Sequence, residues 1–336
     1  MIMENLLEVK ELKVSFATPR GIVRAVNGID YTVRKGEVMG IIGESGSGKS
    51  VGAYAVLGLL KPPGRVDGGQ VLYKGRETLT MTLRDMETFR GREIGMVFQD
   101  PASCLDPVFT IGRQMTEVLR SRHKGISIAE AKSRSEDMLR SVGISEAGSR
   151  FMKRYPFELS GGQCQRIMIA AALLCEPKLL IADEPTTALD VTIQAQIVRL
   201  LKKIQQEKNM AMVYITHNIS IIAEICDMVS VMYGGYILEQ GAVDDIFYRA
   251  AHPYTRALLE AVPRINATSG DPLLSIPGNP VDPADPPTGC VFHPRCKFCR
   301  DICQSEAPPR SILGERHSAS CWILDAGIGA SQSARG

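Results

Sequence analysis

The chain has 336 residues, 44% of them hydrophobic, and a formal net charge of +2. That length suits about two domains, or one large domain with an appendage, and leaves ample apolar material for a core. The near-neutral charge removes any broad electrostatic reason to bind nucleic acid. No apolar run approaches the roughly 18 residues that suggest a membrane-spanning helix. The start, Met1-Ile2-Met3-Glu4-Asn5, lacks the basic stretch and apolar core of a signal peptide. The expectation is a cytoplasmic chain whose membrane role runs through partner proteins.

In chain order, Leu6 to Phe16 alternates roughly and predicts a strand, with a second strand near Ile29 to Arg34. Lys35-Gly36-Glu37 turns the chain into the apolar run Val38 to Ile42, a buried strand. A helix is predicted over Val51 to Leu60 despite its two glycines. The polar stretch Arg84 to Arg92 precedes a strand at Ile94 to Phe98, and Ile111 to about Gly148 reads as a helical insertion. A further helix runs from Gln163 to Cys175. Two more buried strands follow, Leu179 to Ala182 and Met210 to Ile215, joined by the amphipathic stretch Val191 to Lys208. Strands separated by helices imply a parallel sheet. Val229 to Tyr233, Gly234-Gly235 and Tyr236 to Leu238 read as a closing hairpin. After about Pro263 the composition changes, and Pro272, Pro277, Pro280, Pro283, Pro286 and Pro287 demand an extended, largely non-helical path. There is no internal repeat.

The segment Gly43-Glu44-Ser45-Gly46-Ser47-Gly48-Lys49-Ser50 fits the phosphate-loop pattern at every position, and strand, glycine loop and helix follow in the order that pattern requires. The glycines let successive backbone N–H groups turn inward as an anion nest, and the helix start adds free N–H groups. Lys49 suits the β- and γ-phosphates, and Ser50 suits Mg²⁺. The run Leu179 to Ala182 ends in two carboxylates. Asp183 is expected to hold Mg²⁺, and Glu184 to orient or deprotonate the attacking water. The plain reading is a strand-terminal acid used as a cap, which the upstream loop makes the weaker one.

Leu159-Ser160-Gly161-Gly162-Gln163 opens a second helix whose N-terminus suits an anion, although Ser160 alone would read as an ordinary N-cap. Gln99 and His217 each end a strand. Gln99 is expected to sense Mg²⁺ or water, and His217 to hydrogen-bond the γ-phosphate, though each alone more often has a structural place.

The ordered set is GESGSGKS, Gln99, LSGGQ, LLIADE, TALD at Thr187 to Asp190, and His217. It resembles the nucleotide-binding subunits of ATP-binding cassette (ABC) transporters, over roughly residues 5 to 260. The resemblance implies an α/β fold: a P-loop NTPase, RecA-like core with an antiparallel β-subdomain and a helical subdomain, plus a C-terminal Cys-rich extension. It divides the chain into an ATPase domain at 5–262 (helical subdomain about 100–172), an extension at 263–325 and a disordered tail at 326–336. It further implies a head-to-tail pair of subunits, with ATP between the phosphate loop of one and the LSGGQ helix of the other. The nucleotide site then comprises Gly43 through Val51, with Gln99 and Asp183. Ser160, Gly161, Gly162 and Gln163 serve the partner's ATP, and Asp190 contacts the partner. Phe16 matches the family's adenine-stacking aromatic, or is plain core.

Phe98-Gln99-Asp100-Pro101, Leu105-Asp106-Pro107, His252-Pro253-Tyr254-Thr255, Ile276-Pro277-Gly278 and the run from Gly289 to Cys296 resemble the oligopeptide/dipeptide importer branch. That branch implies an active ATPase, peripheral at the cytoplasmic face of the inner membrane. Its partners are a second ATPase subunit (a paralogue or a second copy), two permease subunits and an extracytoplasmic solute-binding protein. The substrate is expected to be short peptides, with sugars or nickel complexes as alternatives within the family. A soluble cassette acting on nucleic acid or ribosomes, and a regulatory subunit that binds ATP without turnover, are the rival classes.

Nine cysteines are present, and Cys290, Cys296, Cys299, Cys303 and Cys321 crowd the C-terminal segment. In a reducing compartment such a group favours metal over disulfides. The resemblance maps a 4Fe–4S cluster onto Cys290, Cys296, Cys303 and Cys321, with Cys299 as an alternative ligand. A Cys₄ zinc site is the chief alternative. A mixed site using His293 or His317, and a disulfide set, remain open. Cys164, just after LSGGQ, departs from the family pattern and adds an expected thiol reactivity.

Overall fold

The computed structural model describes residues 4–146, 148–187, 189–262 and 276–324. The tail expected at 326–336, together with Pro263 and Pro272, lies outside the described residues. The chain opens with strands β1 (Asn5–Thr18), β2 (Gly21–Arg34) and β3 (Val38–Ile42), then helix α1 (Lys49–Val56) and the hairpin β4 (Gly64–Tyr73) and β5 (Arg76–Glu77). Next come α2 (Leu83–Phe89), β6 (Ile94–Val97), α3 (Pro101–Cys104), α4 (Ile111–Arg122), α5 (Ile128–Ser141) and α6 (Gly161–Leu173). β7 (Leu179–Asp183), α7 (Val191–Lys208), β8 (Ala211–Thr216) and α8 (Ile219–Ile225) follow. The chain then forms β9 (Met228–Tyr233), β10 (Tyr236–Ala242), α9 (Val243–Tyr248), α10 (Pro253–Glu260), α11 (Asp301–Ser305), β11 (Arg310–Ile312) and β12 (Ser318–Ser320).

These elements fall into two compact units. One takes Val33–Glu37 and Thr80–Ile215 with the first residues of the chain; the other takes Leu7–Thr32, Val38–Leu79 and everything from Thr216 on. In the first unit β6, β7 and β8 run parallel, with Ile94 opposite Leu179 and Leu180 opposite Met212. Parallel neighbours need crossovers, and α6 and α7 supply them. All of β7 and β8 is buried, which is why both read as unbroken apolar runs rather than alternating ones. α7 turns Ile197, Val198, Leu201 and Ile204 inward at helical spacing. It is capped by Asp190, whose carboxylate accepts from the Ile193 N–H at 2.9 Å, and it stops at Asn209 in the left-handed region. The expected helical insertion is a pair, α4 and α5, broken at Gly125 with φ of 100° and restarted by Ser127 as N-cap.

In the second unit β1, β2, β4 and β5 form a sheet in the order β2-β1-β4-β5, with β4 antiparallel to β1 and β5. β3 pairs parallel with β9, and β9 turns through Gly234-Gly235 into antiparallel β10. β12 and then β11 add antiparallel to the far side of β10. The described part of the proline-rich stretch, 276–292, forms neither helix nor strand. It is not a loose appendage, because Val291 and Phe292 are buried in one core with Ile42, Val231, Tyr233, Leu238 and Tyr254. The rings of Tyr233, Tyr254 and Phe292 meet pairwise at 4.7 to 5.3 Å. Each such pair is worth about 0.5–1.5 kcal/mol beyond its burial.

Two local expectations shift. α1 begins at Lys49, two residues before the predicted start. It ends at Val56 rather than Leu60, because Gly58 takes φ of 58° and breaks the ladder. β2 begins at Gly21, eight residues earlier than its predicted start near Ile29, after a turn held by Thr18 Oγ1 donating to the Gly21 carbonyl at 2.8 Å. The β4–β5 hairpin turns at Lys74-Gly75, both at positive φ.

Candidate functional site

The phosphate loop leaves the fully buried strand β3 and enters α1. Gly43 passes so close to β9 that a Cβ would lie 2.0 Å from the Met232 carbonyl oxygen. Gly48 has φ of 96°, and a Cβ there would lie 2.3 Å from the Ala25 carbonyl oxygen. Only glycine fits either place. Lys49 is 5% exposed, and its Nζ donates to the Gly43 and Glu44 carbonyls at 2.8 Å each and to Ser47 Oγ at 3.3 Å. The lysine is thereby held inside the loop it serves, while Ser45 and Gly46 face solvent and Ser50 is half-buried. Glu44 ties the loop to the rest of its unit: its N–H donates to Tyr254 Oη at 3.1 Å, and its carboxylate receives the Arg295 guanidinium. A lysine, a hydroxyl and inward N–H groups at a helix start are the chemistry a triphosphate with a hard, oxygen-loving Mg²⁺ needs. Phe16 is half-buried and packs on Gly64, its cross-strand partner.

In the first unit, β7 delivers Asp183, fully buried, at its C-terminal end. Glu184 follows in the left-handed region at φ of 45°, pinned by its N–H to the Ile215 carbonyl at 2.9 Å. A non-glycine residue there is uncommon, and such strain gathers at functional positions. Its Oε2 accepts from Thr187 Oγ1 at 2.8 Å and from Gln99 Nε2 at 3.2 Å. Gln99 and Glu184, 85 residues apart, are therefore brought together as the sequence motifs imply, and Thr187 joins them as a second orienting donor. His217 is exposed directly after β8.

Ser160, Gly161 and Gln163 form the N-terminus of α6, with Ser160 and Gly161 exposed. The plain reading of Ser160 holds in this subunit. Its Oγ accepts from the Gln163 N–H at 3.3 Å, and Gln163 Oε1 accepts from the Ser160 N–H at 3.1 Å, a reciprocal capping box. Gln163 also reaches Glu146 Oε1 at 3.4 Å, which Arg154 grips with both guanidinium nitrogens. Asp190 is exposed and caps α7. The thiol reactivity expected of Cys164 is corrected. It is 7% exposed, its Sγ lies 3.7 Å from the Pro156 carbonyl, and burial pushes its pKa up, so the thiolate is disfavoured.

All nine cysteines are free thiols. Cys290, Cys303 and Cys321 are each 7% exposed, Cys296 is half-buried and Cys299 is exposed. Burial first, and then the mutual effect of Cys303, Cys321 and Cys296, pushes the Cys290 thiol up to about 11. Cys296 and Cys321 are raised the same way. Among the described residues no group of three or more His, Cys, Asp or Glu side chains is arranged to hold a metal ion. His317 Nε2 is engaged with Glu239 at 2.9 Å, which takes that nitrogen from a mixed Cys/His shell, and His293 Nδ1 lies 3.0 Å from the Cys290 carbonyl.

Motif reasoning missed three residues: Thr187, Tyr254 and Arg295. Each lies inside a quoted stretch, TALD, HPYT or GCVFHPRC, but those served only to mark family and branch. Thr187 sits three residues from its partner Glu184 and was passed over as part of a family mark, whereas the bonds of Tyr254 and Arg295 to Glu44 join positions 210 and 251 residues apart that only folding brings together.

Comparison with known proteins matches residues 26–187 to the ABC transporter family and residues 238–303 to the oligopeptide/dipeptide transporter C-terminal region. The oligopeptide transport ATP-binding protein OppD of Salmonella typhimurium is 50% identical over 94% of this chain and 93% of its own. The dipeptide transport ATP-binding protein DppD of Bacillus subtilis is 45% identical over 96% of both. A solved dimer of the ATP-binding cassette MJ0796, in a post-hydrolysis state with ADP and Pi, superposes with a TM-score of 0.64 at 28% identity. It covers 70% of this chain and 98% of that one. Among the described residues no helix is long and apolar enough to cross a membrane. With a mixed α/β nucleotide-binding fold, an intact phosphate loop and relatives matching along nearly its whole length, the chain belongs to the ATP-binding, ATP-hydrolysing subunits of the oligopeptide/dipeptide ABC transporter family.

Proposed function

We propose that this subunit hydrolyses ATP to drive uptake of di- and oligopeptides through a membrane complex. The observation that carries the reading is the match to peptide-transport relatives across the C-terminal region as well as the ATPase engine. The engine alone is shared with cassettes of every cargo; the region at 238–303 is what speaks for peptides. The complex contains a second ATPase subunit, two permease subunits and an extracytoplasmic binding protein, with this chain peripheral at the cytoplasmic face of the inner membrane.

In this reading the loop Gly43 to Val51 cradles the triphosphate, and Lys49 neutralises its β- and γ-oxygens. Ser50, Asp183 and Gln99 hold Mg²⁺, which supplies positive charge against the charge developing on the transferring group. Glu184 takes the proton of the attacking water, held in place by Thr187 and Gln99. His217 hydrogen-bonds the γ-phosphate, and Phe16 stacks on the base. The α6 corner of Ser160, Gly161, Gly162 and Gln163, with Asp190, completes the nucleotide site of the second subunit. That assignment explains two anion-binding helix starts in a chain that handles one nucleotide.

The Cys290, Cys296, Cys303 and Cys321 thiols hold a 4Fe–4S cluster in a structural role. What supports this is a full complement of four cysteines in one short segment, three of them buried, although among the described residues no three are arranged to hold a metal ion. Iron and sulfide analysis with a visible spectrum on anaerobically purified protein tests it: zinc at one per chain, or no metal, overturns it. The transport reading is tested by purifying the chain with its membrane partners and assaying ATP-dependent uptake of peptides beside sugars and nickel complexes. Uptake of a sugar or nickel complex but of no peptide would reject it.

A further inference from the structure

Glu44 places a carboxylate in a loop built to receive a triphosphate, where an uncompensated negative charge opposes binding. The Cys-rich extension answers that charge. Arg295, 251 residues further on, meets Glu44 in a two-pronged pair, with one guanidinium nitrogen 2.7 Å from Oε2 and the other 3.2 Å from Oε1. The Arg295 side chain is 5% exposed and that of Glu44 23%. The remaining donors of Arg295 are also used. Nε donates to the Pro277 carbonyl at 2.9 Å, one terminal nitrogen to the Ile276 carbonyl at 3.1 Å and the other to Tyr233 Oη at 3.3 Å. A planar fork satisfied on every side is held in one orientation. The pair is joined to the phosphate-binding lysine through a single residue, because the Glu44 carbonyl accepts from Lys49 Nζ at 2.8 Å. Arg295 itself is set by the short 3₁₀ turn His293–Arg295, immediately before Cys296.

We infer that Arg295 is a positioning residue for nucleotide binding: it cancels the charge of Glu44 and fixes the first turn of the phosphate loop. The segment from Ile276 to Cys296 is then a working part of the ATP site, not only a marker of the branch. Arg295 touches no substrate and acts through Glu44 alone, so its loss weakens ATP binding more than it slows the chemical step.

The test is calorimetric titration of the full chain with Mg·ATP, paired with kcat at saturating ATP measured on the chain assembled with its second ATPase subunit. Arg295→Met, which keeps the stem and removes the charge, is expected to raise Kd about tenfold while kcat stays within about twofold. Part of that rise is repulsion from the exposed Glu44 carboxylate, so Arg295→Met with Glu44→Gln is expected to recover most of the affinity. A purely structural role for Arg295 predicts no such recovery. Should Arg295→Met fail to fold, Arg295→Lys keeps the charge, loses the fork and is expected to raise Kd about threefold. Wild-type affinity in either single variant, or a double variant that binds no better than Arg295→Met alone, overturns the inference.

Discussion

The molecule carries two glycine-rich helix starts, and they are finished to different degrees. The phosphate loop at α1 is braced within its own unit: Lys49 and Ser47 are buried, the Glu44 N–H is bonded to Tyr254, and the Glu44 carboxylate is clamped by Arg295. The corner at α6 is open. Ser160 and Gly161 face solvent, and the bonds it makes are the local ones of a capping box and a surface cluster at Glu146. A site that must hold a triphosphate is pre-organised by its own subunit. One that must meet a triphosphate held elsewhere is stable alone but leaves its free N–H groups for a visitor. That contrast is what the proposed shared active site requires of a single subunit.

The largest expected effect concerns Glu184, the base we propose, rather than either helix start. Glu184→Gln keeps both hydrogen-bonding oxygen and shape at that atom but cannot accept a proton. Turnover should fall about 1,000-fold while ATP affinity holds, measured by phosphate release beside nucleotide titration. Unchanged turnover would remove Glu184 from its assigned role.

Next comes Gly161→Asp. Nothing lies within 4 Å of a Cβ built there, and a carboxylate at a helix start favours the helix, so the fold should stand. The same carboxylate should repel a partner's triphosphate. ATP binding by the isolated subunit should be unchanged and turnover of the assembled pair should drop about 100-fold. A loss of binding in the isolated subunit would instead make α6 part of the subunit's own site.

Acid should act on the braced half. His252 is 1% exposed, caps α10 by accepting the Tyr254 N–H at 3.0 Å, and is held neutral by burial, its pKa down to about 3 from 6.5. A histidine lowered in the folded state refuses a proton that the unfolded chain accepts. Stability is therefore full above pH 6.5 and declines below it, by about 2 kcal/mol at pH 5. Urea unfolding at pH 7 and pH 5 should show the loss, and His252→Asn, which can still cap, should flatten it. Equal slopes in both proteins would assign the acid sensitivity elsewhere.

The smallest effect is expected at Thr187. Thr187→Val removes a donor to Glu184 Oε2. A hydrogen bond to a charged group contributes about 1.5 kcal/mol or more, so kcat should fall about tenfold with the KM for ATP little moved. A change in KM alone would place Thr187 in binding.

Sequence order reveals what sequence spacing controls. The phosphate loop, the buried run into Asp183 and Glu184, and the α6 start are local patterns, legible because backbone geometry and burial act over a few residues. Helix ends were less legible: Gly58 stops α1 early, whereas Gly52, in the same predicted helix, does not. The α4–α5 pair was visible as helical spacing, yet its break at Gly125 needed the backbone. The bond from Arg295 to Glu44 had no local signal at all, since a two-pronged ion pair across 251 residues leaves no periodicity to read. The five C-terminal cysteines crowd together in the sequence, but crowding does not fix their arrangement in space: Cys290 and Cys303 are packed into the core with residues of β9, β10 and α10, and among the described residues no three are arranged to hold a metal ion.

The shared-site account is tested most directly by measuring ATP turnover per subunit across a dilution series, with assembly state followed by mass in the same samples and with the second ATPase subunit present or withheld. The account predicts that turnover per subunit collapses as the subunits separate, although each still binds ATP. A lone subunit that hydrolyses ATP at the full rate of the pair would contradict it.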